Sequence, residues 1–395
     1  MRLCRCYLTL MLALLTMAAS AATPNARVEE AWGKIYITHN GRICLMSVVC
    51  CYPMADMENP AILWPEAQSE DDVFFQDRAL SLLYMYLYEE DFDAAVHLLE
   101  KIRLYQEKHI DNLPSDFRMM VEQAFHRLKY TKPLAILCLT IGLVLLLLEL
   151  LLVRKSEAYY WTRETLAVCL CLFLTLMLAA RWYLSGHVPF GGGHETMQVM
   201  AWFALLIASL LSVTSSQTVT LFSSLGILTA GFALLVSNMA AYNPEIDELM
   251  PALQSPWLAT HVSSVMFSYT LFTILTLISA IGLFKCSDIR IHLILLDVAV
   301  VFLTIGIVLG SLWAKTAWGT YWNWDPKETW ALITLCIYLV AVVWGHCLIA
   351  KTPRVSPQNE KHRWWFHLYC VLAFVSVIIT YFGVNFIFGG LHSYA

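Results

Sequence analysis

The sequence predicts an all-α polytopic membrane protein, with about eight transmembrane helices preceded by a small, mainly helical exported domain. Three observations carry this. Of 395 residues, 59% are hydrophobic and only 14% charged, giving a mean hydropathy of +0.61, too apolar for a soluble globule. From Pro133 onward, apolar runs of about twenty residues recur, each long enough to cross a bilayer. Most of the acidic residues instead fall between positions 23 and 131. A net charge of −5 with no long basic run gives no footing to a nucleic-acid function.

The elements follow in chain order. Residues 1–22 place Arg2 and Arg5 before a short apolar run and the small residues Ala19, Ser20 and Ala21, which is the layout of a secretory signal. The segment is either cleaved or kept as an anchor. Residues 23–131 form the exported domain: "WGKIYITHNGRICLMSVV" alternates like strand about an Asn40-Gly41 turn. Two helical stretches follow, broken near Glu89–Asp91, and a third helix starts with Ser115 as N-cap. Residues 132–395 form the membrane domain, with spans expected at 133–153, 165–184, 197–215, 218–238, 261–284, 291–313, 327–349 and 366–388.

Basic residues orient these spans. If the signal exports the N-terminal domain, the cytoplasmic loops carry Arg154, Lys155, Arg163, Lys285, Arg290, Lys351, Arg354, Lys361 and Arg363. The opposite loops hold only Arg181, Lys315 and Lys327, as the positive-inside rule requires. Four segments then share the outer face: "GHVPFGGGHE", "SPWLATH", the Trp-rich "WGTYWNWDPKETW" and the terminal "GGLHSYA".

Most of the twelve cysteines lie in apolar helices, where thiols serve as small core hydrophobes. Cys44, Cys50 and Cys51 are exported and open to oxidation, but their odd number suggests no disulfide framework. With no C-x-x-C and no C-x-x-C-H, neither a thioredoxin-like pair nor a covalent haem attachment is expected.

The Trp-rich segment carries the strongest chemical signal. Asp325, Pro326 and Glu328 read as N-cap, first helical residue and capping-box acid, so a helix begins at Pro326 and the rings of Trp318, Tyr321, Trp322 and Trp324 precede it. Trp318 and Trp322 share a face if their segment is helical, and Gly319 allows a close backbone approach. An interfacial aromatic belt is the competing reading. Two features weigh against it: the rings are bunched in one loop, and His261 and His392 flank them at the same depth. Indole faces supply stacking area, and two neutral imidazoles complete a six-coordinate iron, so haem fits this set. His346, late in its helix, is an intramembrane suspect. His187 and His194 flank the "GGG" loop, and His292, His362 and His367 sit with basic residues on an expected solvated face.

On these residues the sequence resembles the cytochrome c assembly proteins, the tryptophan-rich haem-handling family of CcsA (ResC), CcmC and CcmF. "WGTYWNWDPKETWALIT", "HETMQVMAW", "LMPALQSPWLATHV" and "FGVNFIFGGLHSYA" carry the likeness to the CcsA branch. "NGRIC", "KIRLYQEKH" and "LPSDFRMMVEQAFHRL" are more loosely similar to the segment before CcsA in fused CcsB-CcsA proteins. The resemblance implies cytochrome c biogenesis in a bacterial inner membrane. Haem b is cargo, conveyed across the membrane and presented at the periplasmic face to apocytochrome c with a CcsB (ResB)-like partner. It implies His261 and His392 as external axial ligands, with Trp318, Gly319, Tyr321, Trp322, Trp324 and Asp325 framing the haem. The family's inner histidine falls where this chain has Val343, and His346 is one turn deeper. Haem lyase (holocytochrome c synthase) activity with the partner is left open. A haem exporter or chaperone without ligation, and a degenerate membrane scaffold, remain as alternatives.

Overall fold

A computed structural model describes residues 24–39, 41–48, 62–151, 156–212, 217–246, 249, 253–284, 289–351 and 357–388. The signal region 1–22, the Asn40 turn position, Cys50, Cys51 and His392 lie outside the described residues. The chain divides into two compact units, Met1–Arg127 and Leu128–Ala395.

In the first unit, α1 (Pro24–Trp32) precedes the expected hairpin, β1 (Tyr36–His39) paired antiparallel with β2 (Arg42–Leu45) in the register Tyr36↔Leu45 and His39↔Arg42. That register leaves a two-residue connection, and Gly41 supplies its positive φ of 76°. The expected helical break appears between α2 (Glu70–Tyr88) and α3 (Phe92–His109), where Glu90 adopts φ 58°. Ser69 and Asp91 cap these helices by accepting from Asp72 N and Ala94 N. Ser115 likewise accepts from Arg118 N at 3.3 Å to open α4 (Asp116–Leu128). The fully buried Gln106 ties α3 to the extended chain: its amide donates to Tyr36 O and Leu63 O, and its oxygen accepts from Tyr36 N. Around it Trp32, Ile35, Met46, Leu83, Leu99 and Ile102 form the core.

The second unit is helical among its described residues. Its elements are α5 (Thr131–Leu151), α6 (Glu157–Ser185), α7 (Gly193–Ser212), α8 (Gln217–Ser237), α9 (Pro256–Phe284), α10 (Arg290–Trp318), α11 (Pro326–Lys351) and α12 (Pro357–Ile378). The chain continues from α12 as a π-helix over Ile379–Phe388. The expected runs 165–184, 261–284, 291–313 and 327–349 each lie within one helix; the described parts of 133–153 and 197–215 lie in α5 and α7, 218–238 ends one residue past α8, and 366–388 runs through α12 into the π-helix. Among the described residues, six helical stretches are long and apolar enough to cross a membrane: Thr131–Leu151, Glu157–Ser185, Pro256–Phe284, Arg290–Trp318, Pro326–Ala350 and Glu360–Phe388. Leu221–Ser237 is a shorter apolar helix.

Packing follows the small-residue logic of membrane bundles. A Cβ at Gly142 in α5 would sit 2.7 Å from Leu228 N in α8, so only glycine allows that approach. Between α9 and α10, hydroxyls add to close packing: Ser264 Oγ donates to Phe302 O and Ser268 Oγ to Ala299 O, each at 2.7 Å. Deeper in the bundle Phe272 stacks on Tyr338, with ring centroids 3.6 Å apart.

Two sequence expectations are corrected here. His292 and His367 are not on a solvated face: they are 1% and 0% exposed, with ring centroids 4.7 Å apart. His292 enters the packed layer from the first turn of α10 and His367 from the middle of α12, where its ring fills the space left by Gly282. The helical cysteines also split, with Cys138, Cys171 and Cys370 buried but Cys169, Cys336 and Cys347 exposed.

Candidate functional site

The site is built where one end of the bundle gathers the end of α6, the starts of α7, α9 and α11, the end of α10 and the terminal π-helix. α10 ends at Trp318 because Gly319 turns left-handed at φ 82°, its N–H still bonded to Lys315 O. Lys315 Nζ also donates to Gly319 O at 2.7 Å and lies over the Tyr321 ring. A Cβ at Gly319 would meet nothing within 4 Å, so this glycine serves the turn and not a close backbone approach. The loop then runs to Asp325, with Trp324 at φ 54°. α11 opens with the expected capping box: Glu328 Oε2 accepts from Asp325 N (3.3 Å) and Asn323 N (2.8 Å), and Asp325 Oδ1 accepts from Lys327 N.

Because the helix stops at Trp318, Trp318 and Trp322 do not share a helical face. The rings form two separate edge-to-face pairs: Trp318 on Trp313 at 4.7 Å, and Trp322 on Trp324 at 5.8 Å. Trp322 lines a cavity and its indole Nε1 is buried with no hydrogen-bond partner among the described residues, whereas Trp324 and Tyr321 are largely exposed.

His261 lines the same cavity from α9. Its Nδ1 lies 2.7 Å from Gly306 O. A carbonyl only accepts, so Nδ1 carries the proton and Nε2 keeps its lone pair, the tautomer a metal ligand needs. This bond is the outermost rung of the α9–α10 ladder that continues through Ser264 and Ser268. The ring lies parallel to Trp313, with an interplanar angle of 7°. A Cβ at Gly310 would sit 2.7 Å from His261 Cε1, and one at Gly306 would sit 2.6 Å from Val265 Cγ2. The Gly306-x-x-x-Gly310 spacing thus seats both the imidazole and the helix that carries it.

Further lining comes from residues that sequence reasoning did not assign to the site. Lys327 Nζ donates to Asn385 Oδ1 at 2.9 Å, and Thr196 bonds Tyr381 at 2.9 Å. The π-helical stretch turns Thr380, Tyr381 and Asn385 toward this cavity, and such wide turns recur at functional sites. A buried clamp braces the rim: Arg181 Nε donates to Glu195 Oε1 at 2.6 Å, while its terminal nitrogens donate to Pro244 O and Glu245 O. Glu195 Oε2 in turn accepts from Gly191 N. The cavity is about 180 Å³, below the ~300–1,000 Å³ of most small-molecule sites. A second cavity of about 780 Å³ adjoins it through Phe190, Leu253 and Leu258.

His346 is apart from this site. It reaches from α11 to α10, where Nε2 meets both Asp297 oxygens at 3.0 and 3.1 Å. Both side chains are about half exposed in the isolated chain, at 55% and 40%. No cluster of three or more His, Cys, Asp or Glu able to hold a metal ion exists among the described residues.

Comparison with known proteins agrees with the landmarks. Residues 192–392, from the Gly-rich loop to the terminal histidine, match the Cytochrome C assembly protein family. Protein NrfI of Wolinella succinogenes is 33% identical over 338 residues, covering 80% of this chain but 36% of NrfI. The cytochrome c biogenesis protein CcsA of Chlamydomonas reinhardtii is 35% identical over 243 residues, 56% of this chain and 65% of that protein. CcsA of Guillardia theta is 30% identical over 314 residues, 70% of this chain and 99% of that protein. The chain therefore spans about a third of NrfI and just under two thirds of the Chlamydomonas protein.

Proposed function

Since this chain belongs to the cytochrome c assembly protein family, we propose that within cytochrome c biogenesis it binds haem b as cargo at the outer face of a bacterial inner membrane and presents it for attachment to apocytochrome c. The single observation that carries this reading is the His261 tautomer: Nδ1 is held by Gly306 O, leaving Nε2 as a ligand in a cavity walled by indoles. His392 is the second axial ligand in this proposal. All eight helices of the membrane domain are read as spans, with the first unit exported, and a CcsB (ResB)-like membrane protein is the expected partner.

The chain's own residues position the cargo. His261 supplies one axial nitrogen, while Trp322 offers an apolar edge and an indole N–H. Lys327, the cation among the described residues lining the cavity, is placed to meet a propionate. Bis-imidazole ligation sets the iron's potential, and holding the vinyl edges toward incoming thiols makes the contribution chiefly one of positioning. At about 180 Å³ the cavity has to widen to admit haem. Whether thioether formation takes place on this chain or on its partner decides between lyase and chaperone.

The His346–Asp297 pair favours a conduit role alongside presentation. A carboxylate that fixes one imidazole nitrogen is the usual second partner of a ligating histidine. The test is the absorption spectrum of the purified full chain, alone and with a CcsB-like partner. A bis-histidine haem signal lost in His261→Ala and His392→Ala is expected. Unchanged haem content and spectrum in both variants would overturn the proposal.

A further inference from the structure

The cavity beside His261 carries an ammonium that the bundle leaves without an anion. Lys327, in the first turn of α11, lines this cavity and makes no ion pair among the described residues. Its Nζ instead donates to the neutral amide of Asn385, on the terminal π-helix, at 2.9 Å. An ammonium offers no acceptor, so the amide oxygen must face Nζ, which leaves the two N–H groups of Asn385 Nδ2 on the far side of that bond. Among the described residues Nδ2 makes no hydrogen bond, and Asn385 lines the same cavity. Both residues keep part of their surface accessible, so the two donors open onto the cavity. A charge held among apolar walls by one amide is costly until an anion meets it.

Neighbouring polar groups in the cavity do not supply that anion or compete for it. Glu328 Oε2 is held by the N–H groups of Asn323 and Asp325. Thr196 Oγ1 donates to Gly193 O at 3.1 Å, so in its contact with Tyr381 the tyrosine must be the donor. Thr380 Oγ1 donates to Ser376 O and Ser311 Oγ to Val308 O, each at 2.7 Å. Lys327 Nζ and Asn385 Nδ2 therefore remain as adjacent donors at the two ends of one hydrogen bond. A carboxylate fits such a pair, because each donor can take one oxygen while Asn385 Oδ1 stays on Nζ. Building on the haem-binding reading, we propose that Lys327 and Asn385 form a carboxylate subsite that clasps one propionate of the cargo, with Asn385 the residue that selects porphyrins carrying a free carboxylate. The arm is what this part of the cavity takes, and the macrocycle reaches His261 as the cavity widens. No bond of the cargo is made or broken in this step.

The test measures the affinity and absorption spectrum of the full chain in detergent with ferrous haem b and with its dimethyl ester, in which both propionates are capped. The wild-type chain is expected to bind haem b about tenfold more tightly than the ester or better, the worth of a hydrogen bond to a charged group. Lys327→Met and Asn385→Leu should each reduce that preference to less than about threefold while keeping the imidazole-type spectrum that His261→Ala is expected to lose. Asn385→Asp is close in size but puts a carboxylate beside Nζ, filling the subsite from within. It should weaken haem b relative to the ester even if Asn385→Leu folds poorly. Equal wild-type affinity for haem b and the ester, or an unchanged preference in Asn385→Asp, would overturn the inference and leave the His261 reading standing. A wild-type chain that takes up neither ligand would overturn both.

Discussion

His261 and Gly306 are joined by a 2.7 Å hydrogen bond from the imidazole Nδ1 to a helix carbonyl. One contact thus fixes the tautomer, the ring orientation and the register of α9 on α10.

Gly310 is the most sensitive neighbour of that contact. Gly310→Ala puts a methyl 2.7 Å from Cε1 and 2.8 Å from Nδ1, so the ring must move. Overpacking of this kind costs about 1–3 kcal/mol. The expected outcome is a folded protein with a modest loss of thermal stability but at least a tenfold drop in holocytochrome c yield in a reconstituted cell. Wild-type yield from Gly310→Ala would show that the ring has room to spare.

The Arg181–Glu195 pair is buried on both sides, and each member also holds backbone: Pro244 and Glu245 for the arginine, Gly191 for the glutamate. Removing one partner of such a pair typically costs ~3–5 kcal/mol because the other charge is left buried. Glu195→Gln and Arg181→Ala should each lower stability by that order, with a double-mutant cycle showing strong coupling. Additive effects would mean that the two side chains act separately.

At the start of α11, Asp325→Ala should cost about 0.5–2 kcal/mol through the lost cap. Glu328→Ala should free the N–H groups of Asn323 and Asp325 and raise hydrogen exchange there, with little change deeper in the helix. Uniform exchange changes along α11 would argue against a local capping role.

In the first unit, burial pushes the Cys44 thiol up to about 12, with the Glu122 carboxylate adding to the shift. At pH 8 almost no thiolate is present in the folded state, so Cys44 should resist alkylation by at least a hundredfold relative to denatured chain, with reactivity rising as pH climbs. Rapid labelling of Cys44 in the native protein at pH 8 would contradict its burial.

Patterns that repeat along the chain were legible without coordinates. Apolar runs located the membrane helices because hydrocarbon demands a fixed length of satisfied backbone. The Asp325–Glu328 capping box could be read because a cap is a local arrangement of four residues. The hairpin, the break at Glu90 and the Ser115 cap are local in the same way. The Gly306-x-x-x-Gly310 spacing was also present to be read, as a signal that another helix comes close.

Tertiary structure decided what no spacing encodes. Trp313 looks like one more apolar residue of a span until α9 lays His261 parallel to it. Lys327 looks like an orienting surface charge until the π-helical end of the chain brings Asn385 within 2.9 Å. His292 and His367 look solvated beside basic residues until two helices bury them together. Local chemistry writes caps, turns and spans into the sequence. Which side chains from distant helices share a cavity depends on how those helices pack, and that is settled only when their glycines let the backbones meet.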